Sequence, residues 1–372
     1  MMAESIGSGQ QQRPQGALEV ADLVKLAAKR HASDVHITAG VPPILRINGQ
    51  LIKIGTVPLT PENTQMMIEP IIPKPCRDEL AETGQTDFSY SVRSVGRCRV
   101  NVYKQRGAYG AALRLIADVI PRPESLGLNS SVIDLINRKR GMVLVTGPTG
   151  SGKSTTLASL IDLISKTYHH HVITLEDPIE YLHKHNKAMV NQREIGLDSI
   201  SFESALRAAL RQDPDVILVG EMRDLDTIST AITAAETGHL VFSTLHTIGA
   251  ASTIDRIIDV FPPYQQQQIR VQLANVLECV ISQQLMPLAD GSGRVAAFEV
   301  MHATPAIRNL IREAKIHMIP AIVQTSRRQG MVTMDDAIFE LCSGHRITSE
   351  IAISYAQDTA AMMKRVMGQG EV

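Results

Sequence analysis

Between residues 142 and 245, four short apolar runs recur and each stops at polar residues. They cover residues 142–146, 171–175, 215–220 and 239–245, and their length and lack of polar interruption predict buried strands. The stretches between them carry apolar residues at helical spacing. Residues 154–166 set Leu157, Leu160, Ile161 and Ile164 on one stripe. Residues 204–212 form a second helix that ends before Asp213-Pro214. Residues 224–237 form a third, with Asp224 placed to cap its start and Gly238 to end it. Strands alternating with helices predict a parallel sheet with helices on its faces. Ligands of such sheets sit at the carboxyl ends of the strands.

The first hundred residues follow a different pattern. Residues 18–32 read as a helix burying Leu18, Val20, Leu23, Val24 and Ala27, and residues 35–38 as a strand. Two apolar arms, 44–47 and 51–54, flank Asn48-Gly49, a strong hairpin signal. Residues 61–83 read as one or two helices broken by Pro70, Pro73 and Pro75. In residues 97–103, Cys98, Val100 and Val102 alternate with Arg97, Arg99 and Asn101. A further strand, 111–116, carries Arg114 at a polar position. Taken alone, these arginines read as a solvated sheet face. The pattern divides the chain into a polar leader (1–16), a small α+β domain (17–116), a linker marked by Pro121, Pro123 and Gly127 (117–128) and an α/β domain (129–372).

Candidate chemistry gathers at the strand ends. Gly147-Pro148-Thr149-Gly150-Ser151-Gly152-Lys153-Ser154-Thr155 fits the phosphate-loop pattern and lies between a strand and a helix, the arrangement that binds anions. Its glycines let successive N–H groups point at phosphate oxygens. Lys153 can reach the β- and γ-phosphates and Ser154 can offer a hydroxyl to Mg²⁺. ATP and Mg²⁺ are the implied cofactors. Hydrolysis also needs a metal-side carboxylate, a group to orient water and cations to meet transition-state charge. Glu221, just past the third strand, suits the first role. Glu176, Asp177 and Glu180 are candidates for the second. His239 and His246 are candidates for contact with the γ-phosphate or for reporting its presence to a neighbour. Asp224 reads as a cap only.

Composition narrows the function. A net charge of −1, no Trp and 3% aromatic residues argue against a nucleic-acid surface. The four cysteines are scattered without zinc spacing, and no apolar run reaches the length of a membrane span. The leader has no signal-peptide core. These features predict a cytoplasmic protein without a transmembrane segment.

Four motifs together resemble the hexameric secretion and pilus ATPases, and within them the type IV pilus retraction ATPases. They are GPTGSGKST at 147–155, ITLEDPIEY at 173–181, DPDVILVGEMRD at 213–224 and TGHLVFSTLHT at 237–247. The resemblance runs from about residue 18 to the end of the core. It implies a RecA-like ATPase domain behind a small PAS-like N-terminal domain, assembled as a ring of six. It implies that Glu180 is the catalytic carboxylate, which spacing could not rank over Glu176. It also implies that Glu221 is an atypical Walker B residue near Mg²⁺, directly or through water. Arg97, Arg99 and Arg114 become arginine fingers that turn toward nucleotide. The implied partners are an inner-membrane platform protein and, in some systems, a second retraction ATPase.

Ser243, where glycine is expected, and the leader depart from the family pattern. Assembly and type II secretion ATPases of this family carry a four-cysteine segment after their S-Q-x-L stretch. Here Ser282-Gln283-Gln284-Leu285 is followed by no cysteine up to Arg294. Residues 306–311 match the AIRNLI motif of retraction ATPases, and by spacing they read as a helix with Ile307, Leu310 and Ile311 buried and Arg308 and Asn309 exposed. The alternatives to a retraction motor are an accessory retraction paralogue, an assembly or type II secretion ATPase, and a DNA translocase.

Overall fold

The computed structural model describes residues 19–47, 49–93, 95–116 and 119–368. The leader expected at 1–16 lies outside the described residues. The chain divides into two compact units, Met1–Asp118 and Val119–Val372.

The smaller unit is a six-stranded antiparallel sheet in the order β3-β2-β1-β6-β5-β4. Its strands are β1 (Asp34–Ile37), β2 (Ile44–Ile47), β3 (Gln50–Lys53), β4 (Gln85–Val92), β5 (Gly96–Gln105) and β6 (Ala108–Leu115). Helices Val20–Lys29, Pro61–Ile68 and Lys74–Thr83 cover one face, packing Leu23, Ile68 and Leu80 onto Val35, Leu45, Val100 and Leu113. The expected hairpin forms between β2 and β3, with Ile47 opposite Gln50 and Gly49 at φ +81°. Cys98, Val100 and Val102 are fully buried, as their alternation requires.

The larger unit holds a seven-stranded sheet in the order β13-β12-β7-β11-β10-β8-β9. Its strands are β7 (Gly141–Thr146), β8 (His171–Glu176), β9 (Met189–Glu194), β10 (Val216–Val219), β11 (Leu240–Leu245), β12 (Leu277–Pro287) and β13 (Arg294–His302). All neighbours pair in parallel except β12 with β13. Successive residues of one strand feed two different cores. Met142, Leu144, Ile217 and Val219 pack on the side of helices Leu225–Glu236 and Ala250–Asp259. Val143, Val145, Val216 and Leu218 pack on the side of helix Lys153–Thr167. This is why the runs are continuously apolar. Leu157, Leu160, Ile161 and Ile164 are buried as their stripe predicts. Asp224 caps its helix through Thr227 N at 2.8 Å. Ser243 is buried, and its hydroxyl donates to Val219 O at 2.8 Å.

Residues 121–128, inside the linker expected at 117–128, pack within the larger unit. Pro123–Leu126 forms a 3₁₀ turn, Pro123 and Leu128 are buried, and Ser159 Oγ donates to Pro121 O at 2.7 Å. Proline stops regular helix but does not prevent packing. Arg308 is not a solvated residue of its helix, Pro305–Arg312. Its guanidinium donates to Ala274 O and Asn275 O, at the end of helix Pro263–Val276, and to Ala303 O and Glu278 Oε1 at 2.6–2.9 Å. A cation satisfying terminal helix carbonyls is a stabilising arrangement. Ile307 and Ile311 are fully buried, and Leu310 is partly so.

Candidate active site

The parallel register brings the chemistry to one sheet end. Thr146 lies opposite Leu245, and Val219 opposite both Ser243 and Leu175. The phosphate loop, Glu221, His246 and the segment after Glu176 therefore leave the sheet together.

The loop is shaped from below by β12. Gly147 has φ +140°, and a Cβ there would stand 2.2 Å from Gln283 O. Gly152 has φ +91°, and a Cβ would meet Gln283 Nε2 at 2.9 Å. Only glycine tolerates both the conformation and the approach. Gln283 Oε1 accepts from Thr156 Oγ1 at 2.8 Å. Pro148, Thr149 and Gly150 are exposed, whereas Ser151 and Lys153 are buried. Lys153 Nζ donates to Gly147 O at 2.9 Å and Pro148 O at 3.1 Å. Burial pushes its ammonium below its ordinary pKa, partly offset by the charges of Glu221 and Glu180. Ser151 Oγ is buried without a hydrogen-bond partner among the described residues. Ser154 is exposed in the first turn, where helix N–H groups lack intrahelical partners. An orphaned hydroxyl, an ammonium resting on loop carbonyls and free helix N–H groups fit a polyphosphate.

The acidic segment after β8 separates its two glutamates. Glu176 Oε1 accepts from Thr174 Oγ1 at 2.5 Å and from Gln192 Nε2 at 3.0 Å. Burial raises its pKa despite these bonds. Glu180 is half-buried, and its charge reaches Lys153. The segment itself is held by β9: Glu194 Oε2 accepts from Ile179 N at 3.0 Å, and Gln192 bonds His183 N and Tyr181 O at 2.8 Å. Tyr181 OH meets Thr155 Oγ1 at 2.9 Å, tying the segment to the loop.

Past β10, Glu221 Oε1 pairs with Arg223 Nε at 2.6 Å and His246 Nε2 at 3.2 Å. Burial pushes the Glu221 carboxyl up, but Arg223 and His246 outweigh it and hold it below the ordinary carboxylate range. Ser154 and Glu221 offer hard oxygen ligands of the kind Mg²⁺ takes, and phosphates and water commonly complete such a site.

His239 does not join this group. It precedes β11 at the end paired with Gly141, where its Nδ1 meets Ala234 O at 2.9 Å and its carbonyl accepts from Gly141 N. The six-residue strand Leu240–Leu245 separates it from His246 by about 20 Å. The expectation that His239 contacts the γ-phosphate is therefore corrected within this chain.

In the smaller unit, register lines up four charged residues on the polar face: Arg46, Asp34, Arg114 and Arg99, each opposite the next. Arg114 Nε lies 3.0 Å from Asp34 Oδ1, and Arg46 Nε 3.7 Å from Asp34 Oδ2. Burial raises the Asp34 pKa, but the Ser33 and Arg114 hydrogen bonds and the Arg114 charge bring it below its ordinary value. Arg97 shares this face two residues from Arg99. Arg99 and Arg114 stand directly opposite, each beside a carboxylate: Asp87 Oδ1 lies 3.9 Å from Arg99 Nε and Asp34 Oδ1 3.0 Å from Arg114 Nε.

Residues 126–353 match the family model described as Type II/IV secretion system protein. The chain belongs to that family. It is 47% identical to the type IV pilus retraction ATPase PilT of Pseudomonas aeruginosa, over 90% of this chain and 97% of that protein. It is 41% identical to the type IV pilus ATPase PilU of the same species, over 91% and 89%. A crystal structure of the pilus retraction motor PilT with bound ADP superposes with a TM-score of 0.87 at 50% identity, covering 94% of this chain and 99% of that one. The fold of this secretion-family chain is thus a RecA-like core with a smaller N-terminal domain, and the protein is a nucleotide-binding ATPase. No helix among the described residues is long and apolar enough to cross a membrane.

Sequence reading missed Gln283, Gln192, Glu194, Tyr181 and Asp34. The glutamines and Glu194 lie on strands that carry no alternation signal, but Gln283 belongs to the S-Q-x-L stretch, which was the available cue. Gln283→Leu is expected to cost about 1–3 kcal/mol by stranding the Thr156 hydroxyl and to weaken nucleotide binding. Urea melts and nucleotide titration would check it; unchanged nucleotide affinity would detach Gln283 from loop positioning.

Proposed function

We propose that this chain is the ATP-driven motor of type IV pilus retraction, working as a ring of six at the cytoplasmic face of the inner membrane. The observation that carries this reading is likeness to PilT over nearly the whole chain. A second feature supports it. Where assembly ATPases of the family carry a four-cysteine segment, β12 and β13 are joined by a six-residue turn, 288–293, closed by Leu288 N donating to Gly293 O.

In this reading, Lys153 exchanges its contacts with the Gly147 and Pro148 carbonyls for phosphate oxygens, and the loop N–H groups cradle the phosphates. Ser154 and Glu221 would hold Mg²⁺, directly or through water, and the ion would supply positive charge against the phosphates. Glu180 orients the attacking water, since Glu176 is committed to Thr174 and Gln192. His246 reports on the site through Glu221. Arg97, Arg99 and Arg114 meet phosphate charge in the transition state. Contacts made only with the γ-phosphate bias a two-state closure, and the resulting motion is passed to an inner-membrane platform protein.

Likeness to PilU favours a second reading, an accessory ring member. Lys153→Ala separates the two. It is expected to lower ATP turnover of the purified protein by about 10²-fold or more and to leave a deletion strain without surface motility. Motility restored by the variant would favour the accessory role.

A further inference from the structure

Glu221 Oε1 takes two contacts at once, Arg223 Nε at 2.6 Å and His246 Nε2 at 3.2 Å. A carboxylate oxygen has two lone pairs, so this oxygen is fully occupied. The two partners differ in kind. Arg223 is the partner that stays charged throughout the physiological range. Arg223 is also weakly held from its other side. Its side chain is 77% exposed, against 18% for Glu221. A pair with one solvated member exchanges partners at little cost. A second anionic partner is close enough to act on Arg223, namely Asp177 in the acidic segment.

We propose that Arg223 is the resident counter-ion of Glu221, which it occupies when the divalent metal is absent and yields as the metal binds, turning to Asp177. The role rests on the reading of Glu221 as the metal-side carboxylate. Its physical logic is that Glu221, largely withdrawn from water, would otherwise stand as an uncompensated anion between turnovers. The exchange leaves Glu221 with a cationic partner in both states. It also sets a threshold: metal alone competes poorly with a tethered guanidinium, while metal arriving with phosphates brings its own ligands. Arg223 is thus a positioning residue that tunes metal affinity.

The test is Mn²⁺ titration of the full-length protein at saturating ADP, read by electron paramagnetic resonance of free Mn²⁺. Glu221→Gln is expected to loosen Mn²⁺. Arg223→Gln is expected to tighten it roughly two- to fivefold, the range of an exposed ion pair. In the double variant the Arg223 substitution should lose its effect, because the contested carboxylate is gone. Unchanged or weaker Mn²⁺ binding in Arg223→Gln, with Glu221→Gln still loosening it, would overturn the competition and leave the role of Glu221 intact. If Glu221→Gln does not alter Mn²⁺ affinity, the metal-side reading and the proposal fall together.

Discussion

Arg114→Ala is expected to lower kcat for ATP hydrolysis by about 10³-fold while nucleotide affinity stays within about twofold, because an arginine finger acts on transition-state charge. Arg114 is held at one nitrogen by Asp34 Oδ1, and its side chain is 73% exposed. The rest of its guanidinium fork is free to meet an anion bidentately, which a lysine could not do. The fold tolerates Arg99 directly opposite it, a placement that costs stability unless a negative group is shared. Even so, Arg114→Ala removes the closest cation of the buried Asp34 carboxylate and should lower the stability of the domain by about 1 kcal/mol. A thermal melt alongside the kinetics would show this, and full turnover would remove Arg114 from the site.

Glu180→Gln is the second large effect, with an expected loss of about 10²–10⁴-fold in kcat from removal of the group that orients water. Its informative partner is Glu176→Gln. Glu176 is half-buried, hydrogen-bonded by Thr174 and Gln192, and pushed by desolvation toward its neutral form. An amide at that position keeps most of the shape and should change turnover by less than about tenfold. Single-turnover measurements on both variants would rank the two carboxylates. The reverse order, with Glu176→Gln the more damaging, would place the catalytic group four residues earlier.

How far these residues could be read in advance depended on where their partners lie. The parallel core was legible because strands such as Val216–Val219 bury every residue, leaving uninterrupted apolar runs. The phosphate loop was legible because its glycines and Lys153 are adjacent in sequence. Glu176 and Glu180 could not be separated, since Gln192 sits on β9, a polar edge strand with no apolar run to mark it. His239 and His246 share one motif, yet the strand between them delivers them to opposite ends of the sheet. Arg308 falls on the polar side of its own helix by spacing, but its side chain reaches the carbonyls of a neighbouring helix. Helical periodicity describes one element and carries no information about what packs beside it.

Counting surface pili by electron microscopy on cells lacking this protein distinguishes retraction from assembly. A retraction motor leaves abundant pili on cells that no longer move on surfaces. Bald cells would contradict retraction and make the protein an assembly motor.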